Sequence, residues 1–325
     1  MLDLKQLPKY LRYTYQAAIE GNIDPEILEA VFDAAIRHRA DRYNWPHKPM
    51  TDEQLAKQRV LYKYRGIGDQ AKQLWSRDWG ILEQQTIWLS HPSAFNDPFD
   101  AQLLIRFDLM EPKLRDALLK QSILDKEPTA GGNLVLSKMK AMTDSLLDPK
   151  QHDQMSRAFM KNRLDEMKVL CLGAEKDNIL MWSHYAQNHE GFAIGFDAVK
   201  LNDLCFKNGG FQTGYVAYRD KYPILRWPEK GNKREMEELI ATIMNVKSRI
   251  WKYEKEVRVS FFKAHNSIDF SQSPDLVSEI IIGAKMETPA EQKMLQIVDS
   301  KYPNAQVYKA HVSRDAFSLQ FTQVR

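Results

Sequence analysis

Residues 251–261 read Trp-Lys-Tyr-Glu-Lys-Glu-Val-Arg-Val-Ser-Phe, so that Val257, Val259 and Phe261 alternate with Glu256, Arg258 and Ser260. Side chains alternate sides along a β-strand, so such a run buries one face and leaves the other polar. A strand of this kind is not stable alone and demands a sheet with an apolar layer behind it. Carried backward, the pattern predicts Glu254, Glu256, Arg258 and Ser260 on one face, with Tyr253 on the apolar side. Same-face neighbours on a strand stand about 6 to 7 Å apart. Two carboxylates at that spacing repel, which raises one pKa into a range suited to general acid–base work. With the arginine beside them they can also bind sugar hydroxyls and stabilise a developing cation. A solvent-exposed strand face laced by Glu–Arg pairs has the same pattern.

Other short β-branched and aromatic runs supply the rest of the sheet, at residues 60–65, 86–90, 169–172, 191–196, 211–218 and 279–283. Residues 101–107 are a further candidate, and the tail after residue 300 offers one or two more. Helical spacing fills the intervals. Leu11, Tyr15, Ala18 and Ile19 form one apolar stripe, and Ile27, Leu28, Val31, Phe32, Ala35 and Ile36 form another, opened by Asp24-Pro25. Residues 71–82, 178–188 and 291–300 read as helices, as does the 111–168 stretch apart from a break at 128–133. Met236, Leu239, Ile240, Ile243, Met244 and Ile250 mark an amphipathic helix leading into the Glu strand. The expected class is α+β, a mixed or antiparallel sheet decorated by helices. Its expected organisation is an N-terminal helical extension (1–58), an α+β domain (59–285, with a helical insertion at about 111–168) and a C-terminal helix-and-strand extension (286–325).

Composition matters for what it excludes. With 43% hydrophobic and 27% charged residues the chain can bury a core. Its formal charge of +3 is close to balance. Between Arg219 and Lys263, however, twelve Lys and Arg face seven Asp and Glu, which suits a phosphate-bearing ligand, dinucleotide or nucleic acid. Cys171 and Cys205 sit in apolar or aromatic company and read as buried free thiols of a reducing cytoplasm. No Cys/His spacing suggests a zinc site. Because the N-terminus lacks a basic region leading into an apolar stretch, and no uncharged run reaches membrane-spanning length, a soluble cytoplasmic protein with no membrane association is expected. There is no G-x-G-x-x-G and no P-loop.

Two more stretches are candidates for a site. In Ser90-His-Pro-Ser-Ala-Phe-Asn-Asp-Pro-Phe-Asp100, Asn96 and Asp97 are turn formers before a proline, with Phe95 and Phe99 as anchors. Such a loop after a strand suits a substrate contact, or is simply a capped turn. In residues 178–191, His184 and His189 lie five apart, about 140° on a helix, which argues against a shared metal. Trp182 and Tyr185 read as core residues and His184 as structural.

Taken in order, Leu61-Tyr-Lys-Tyr-Arg65, Phe95-Asn-Asp-Pro-Phe-Asp100, Met181-Trp-Ser-His-Tyr-Ala186 with Gly191–Asp197, and Trp251–Arg258 resemble a widespread prokaryotic family of uncharacterised domains over about residues 60 to 285. More distantly, Tyr64-Arg65-Gly66, Leu89-Ser90 and the late Glu-x-Glu are similar to ADP-ribosyltransferases. That resemblance implies NAD as a substrate, with Tyr64, Arg65, Ser90, Asn96 and Asp97 on the dinucleotide side. It implies that Glu256 stabilises an oxocarbenium-like transition state and that Glu254 positions or activates the acceptor. It further implies a transferase acting on nucleic acid or protein, as a toxin or antiviral (phage-defence) effector, with an antitoxin or regulator protein as partner. Lys63 stands where a His-type enzyme has histidine, and Ser90-His91-Pro92 departs from the usual Ser-Thr-Ser form. Two other readings are a nucleotide-binding sensor or interaction module without catalysis, and a metal-dependent nuclease built on Asp97, Asp100, Glu254 and Glu256.

Overall fold

The computed structural model describes residues 50–68, 75–102, 104–105, 112–151, 154, 157, 164–222, 224–225, 244–262 and 264–325. The helices expected before residue 50, and the 236–243 part of the helix expected before the Glu strand, lie outside the described residues.

Among the described residues the strands are β1 (Val60–Arg65), β2 (Thr86–Trp88), β3 (Leu104–Ile105), β4 (Met167–Gly173), β5 (Phe192–Asp197), β6 (Gly210–Tyr215), β7 (Ala217–Arg219), β8 (Ile224–Leu225), β9 (Val246–Ser248), β10 (Glu256–Phe262), β11 (Ser267–Asp269), β12 (Val277–Ile282), β13 (Gln306–Val312) and β14 (Leu319–Gln323). The helices are α1 (Asp52–Gln58), α2 (Trp75–Glu83), α3 (Pro112–Lys126), α4 (Gly132–Leu147), α5 (Ile179–Tyr185), α6 (Ala198–Lys207) and α7 (Thr288–Lys301). The class is α+β, as expected.

The chain divides into two units. One comprises residues 1–46, 103–160 and 223–236. In it α3 and α4 bury Leu119, Ile123 and Val135, and β3 pairs in parallel with β8. The other comprises residues 47–102, 161–222 and 237–325 and holds an eight-stranded sheet in the order β14-β13-β12-β5-β1-β4-β10-β6. Its pairings are antiparallel except β12–β13, which run parallel and are joined by α7. A parallel pair needs such a crossover, because a hairpin can only reverse the chain. The segment after residue 285 thus contributes two strands to the same sheet.

Alternation sorts the sheet's two faces. Leu61, Ile194, Phe196, Val257, Val259 and Ile280 bury one face in a core that also holds Trp79 of α2 and Val298 of α7. On the other face Tyr62, Tyr64, Ala193 and Ile281 pack with Met181 and Trp182 of α5. Asn178 caps α5, its side chain accepting from the amides of Leu180 and Met181, which fixes the start of the helix.

The pairing between β1 and β4 is short. β1 runs beside β5 for six residues and β4 beside β10 for seven, but β1 meets β4 only at Tyr62–Gly173. Further along, Val169 instead bridges to Ser90, with both backbone hydrogen bonds at 2.8 Å. In between, the Lys63 ammonium donates to the Cys171 carbonyl at 2.7 Å, satisfying an acceptor that has no strand beside it. The sheet therefore splays between β1 and β4, and a cleft opens there.

Candidate active site

The expected strand position of Glu254 is corrected by the structure. Arg249–Glu254 form a 3₁₀ turn, Lys255 takes a left-handed conformation (φ 43°, ψ 48°), and β10 begins only at Glu256. The alternating bulky and charged residues of 250–254 imitate a strand period. The turn is held instead by side-chain contacts: the rings of Trp251 and Tyr253 lie 6.4 and 6.0 Å from that of His184, and the Asn178 amide donates to the Tyr253 carbonyl. Ile250, expected on the apolar face of a helix, is 82% exposed. Glu256, Arg258 and Ser260 do share one strand face, opposite Val257, Val259 and Phe261, and all three are buried.

The two glutamates still meet, through Lys247 at the middle of β9. Its ammonium stands 2.5 Å from Glu254 Oε2, 3.3 Å from Glu256 Oε2 and 3.6 Å from Asp100 Oδ2. Arg258 ties the other side. Its Nε and one Nη donate to the two oxygens of Glu256 at 2.8 and 2.9 Å, while both Nη groups donate to Asp100 at 2.9 and 2.6 Å. A further bond at 2.6 Å to the Met244 carbonyl uses the last of its five N–H donors. Arg258 is thus saturated, with its guanidinium 4.9 Å from the centre of the Phe95 ring. It holds the carboxylates and has no donor left for a ligand. Tyr185 of α5, expected in the core, donates its hydroxyl to Glu254 Oε1 at 2.6 Å.

Three carboxylates here face two cations, all with side chains nearly closed off from water. Burial opposes any excess charge, so the cluster resists having all three acids ionised. The two glutamates respond differently. Burial would push Glu256 up, but the Arg258 guanidinium and the Lys247 ammonium outweigh it and hold the carboxyl at about 2. Burial and the neighbouring Glu256 raise Glu254, with Lys247 and Tyr185 acting the other way. Glu256 is therefore held as the anion, whereas burial and the neighbouring charge favour the protonated form of Glu254 more than usual.

The cleft has a volume of about 420 Å³, within the usual range for small-molecule sites. Tyr64, Arg65, Ser90, Asn96, Glu254 and Glu256, all proposed from sequence, line it. Asp97 does not. Its Oδ1 accepts from the Phe99 amide at 2.9 Å, so it caps the turn. Arg65 is fixed by a close backbone approach, since a Cβ on Gly191 would lie 2.1 Å from the Arg65 carbonyl oxygen. Ser90 is held by its bridge to Val169, and the Tyr64 hydroxyl donates to the Glu175 carbonyl at 2.6 Å. Exposed His184 lines the cleft as well.

Sequence reasoning missed Lys247 and Tyr185 as partners of the glutamates, while Asp100 stood beside them only in the nuclease reading, where it was a metal ligand and not the partner of Arg258. Lys247 follows Met244-Asn-Val246 and precedes two nearby acids, and a lysine in such apolar company needs a counter-charge. That signal was available. Nothing local marked Tyr185. Cys171 and Cys205 are both free, and burial pushes both thiols well up. For the nuclease reading, the places a metal would take among Asp100, Glu254 and Glu256 are filled by Lys247 and Arg258. Among the described residues no three His, Cys, Asp or Glu side chains are arranged to share a metal ion.

Fold and site together define an α+β protein whose sheet splays around a buried carboxylate cluster. Residues 181–259 match the model of a family described as "Protein of unknown function (DUF2971)". The match takes in most of α5, all of β5 and the first part of β10, while the 61–65 and 95–100 motifs lie outside it. No curated protein and no solved structure matches the chain. Among the described residues no helix is long and apolar enough to cross a membrane.

Proposed function

We propose that the cleft takes NAD as a substrate, breaks its nicotinamide–ribose bond and passes ADP-ribose to an acceptor. The observation that supports this is the meeting of Arg65, Ser90 and Glu256, from three distant stretches of chain, around one cleft. β1 brings the cations Lys63 and Arg65 to it; β10 and the turn before it bring the carboxylates, a polarity suited to a ligand with phosphates at one part and a developing cation at another. In this reading Arg65 meets the phosphates and Ser90 orients the nicotinamide half. The glycosidic electron pair leaves on the nicotinamide nitrogen, and the cationic ribose forms beside Glu256. A carboxylate held ionised there stabilises charge where it develops. The acceptor's heteroatom bonds to the ribose carbon while its proton passes to Glu254, which Tyr185 and Lys247 aim.

Glu256 is only 5% exposed and both its oxygens are engaged, which favours a second reading: a nucleotide-binding module that does not turn its ligand over. Glu256→Gln separates the two. Wild type should consume NAD and the variant should lose roughly a hundredfold or more of that rate. A rise in Tm with NAD and no product would support the module instead. Unchanged turnover in folded Glu256→Gln removes Glu256 from the role given to it.

A further inference from the structure

We propose that the rim formed by residues 217–222 and 246–255 is a docking surface for single-stranded nucleic acid, which on the NAD reading would be the acceptor. β7 and β9 pair in parallel from Ala217–Val246 to Arg219–Ser248, so the two segments lie side by side. Together they expose Arg219, Lys221, Arg249, Lys252 and Lys255 against a single exposed carboxylate of their own, Asp220. Arg249 pairs with Asp220 at 2.9 Å, and Lys255 pairs with Glu175. Both pairs stand largely in solvent, where such pairs are weak and can be exchanged for phosphate.

Flat rings are interleaved with these cations. Trp251 and Tyr253 have centroids 5.9 Å apart and share His184 as a neighbour, while Tyr222 is 46% exposed. Aromatic faces among cations are what a nucleic-acid strand recognises when its bases are free to stack. A duplex hides those base faces, so the unpaired strand is the better fit. The rim also leads to the chemistry. His184 lines the cleft, and the Lys247 ammonium lies 4.9 Å from the centre of the Trp251 ring and 2.5 Å from Glu254. A base stacked on Trp251 would stand one side chain, Lys247, from the Glu254 carboxylate.

The test is fluorescence anisotropy of the full chain with a labelled single-stranded oligonucleotide across a salt series, which needs no NAD turnover. Binding should weaken steeply with salt, with a log–log slope of about −2 for three phosphate contacts. Trp251→Ala should weaken it roughly five- to 150-fold. Ile250→Glu, at an 82% exposed position where folding is not at issue, should weaken it about tenfold by setting a carboxylate amid the cations. No binding at low salt, equal competition by polyglutamate, or unchanged affinity in both variants would overturn the proposal. Tight binding with no ADP-ribose on the oligonucleotide when NAD is added would uphold the surface and count against the NAD reading alone.

Discussion

The same three residue types meet twice in the unit that holds the large sheet. At Glu279, the Tyr62 hydroxyl donates to one carboxylate oxygen and Lys176 stands 3.1 Å from the other. At Glu254, Tyr185 and Lys247 do the same at 2.6 and 2.5 Å. The two triads differ in their company. Lys176 and Glu279 balance one to one, and Lys176 lies over the rings of Tyr308 and Phe321 with its side chain 32% exposed. Lys247 instead serves Glu254, Glu256 and Asp100 together, is nearly closed off from water, and sits on a cleft. A Tyr–Glu–Lys group is therefore not itself a site. What sets the Glu254 group apart is a buried, unbalanced charge at the wall of a cleft.

The sharpest way to break the contrast is Arg258→Met. It strips Glu256 and Asp100 of a buried cation, and chemical denaturation should show a loss of about 3–5 kcal/mol. A variant as stable as wild type would mean that the cluster is far wetter than its burial implies. Next in size is Lys247→Met, read through the pH profile of NAD turnover. Glu254 must be ionised to take a proton, so the rate should fall as pH drops through its raised value. Removing a cation that lowers that value moves the acid limb to higher pH, by about one unit or more. An unmoved limb would assign it to another group. Smallest is Lys176→Met, which breaks a partly exposed pair and should cost under about 1 kcal/mol with an unchanged pH profile. A shifted profile there would erase the distinction between the triads.

Much of the sheet was legible because alternation is local. Val257, Val259 and Phe261 announced their face, and Val60–Arg65 and Gly191–Phe196 fell within a residue of β1 and β5. Glu254 was misplaced because Trp251 and Tyr253 obtain their packing from His184, about 70 residues away, and no period within 249–254 can encode that. Tyr185 was hidden for the same reason, since its partner lies 69 residues on. Arg65, Ser90 and Glu256 were found as types in motifs. Their shared cleft depends on where β1 parts from β4, which is a property of the pairing rather than of any one strand.

The saturated guanidinium also has a consequence for how the chain folds. Arg258 and Asp100 are 158 residues apart, so their pairing is a long-range closure that costs loop entropy before it returns any contact. Until the 95–100 turn arrives, β10 can pair with β4 and β6 only by carrying a cation among apolar neighbours with one acidic partner missing. The charge pairing at the wall of the cleft is therefore complete only when the 95–100 turn is in place beside β10.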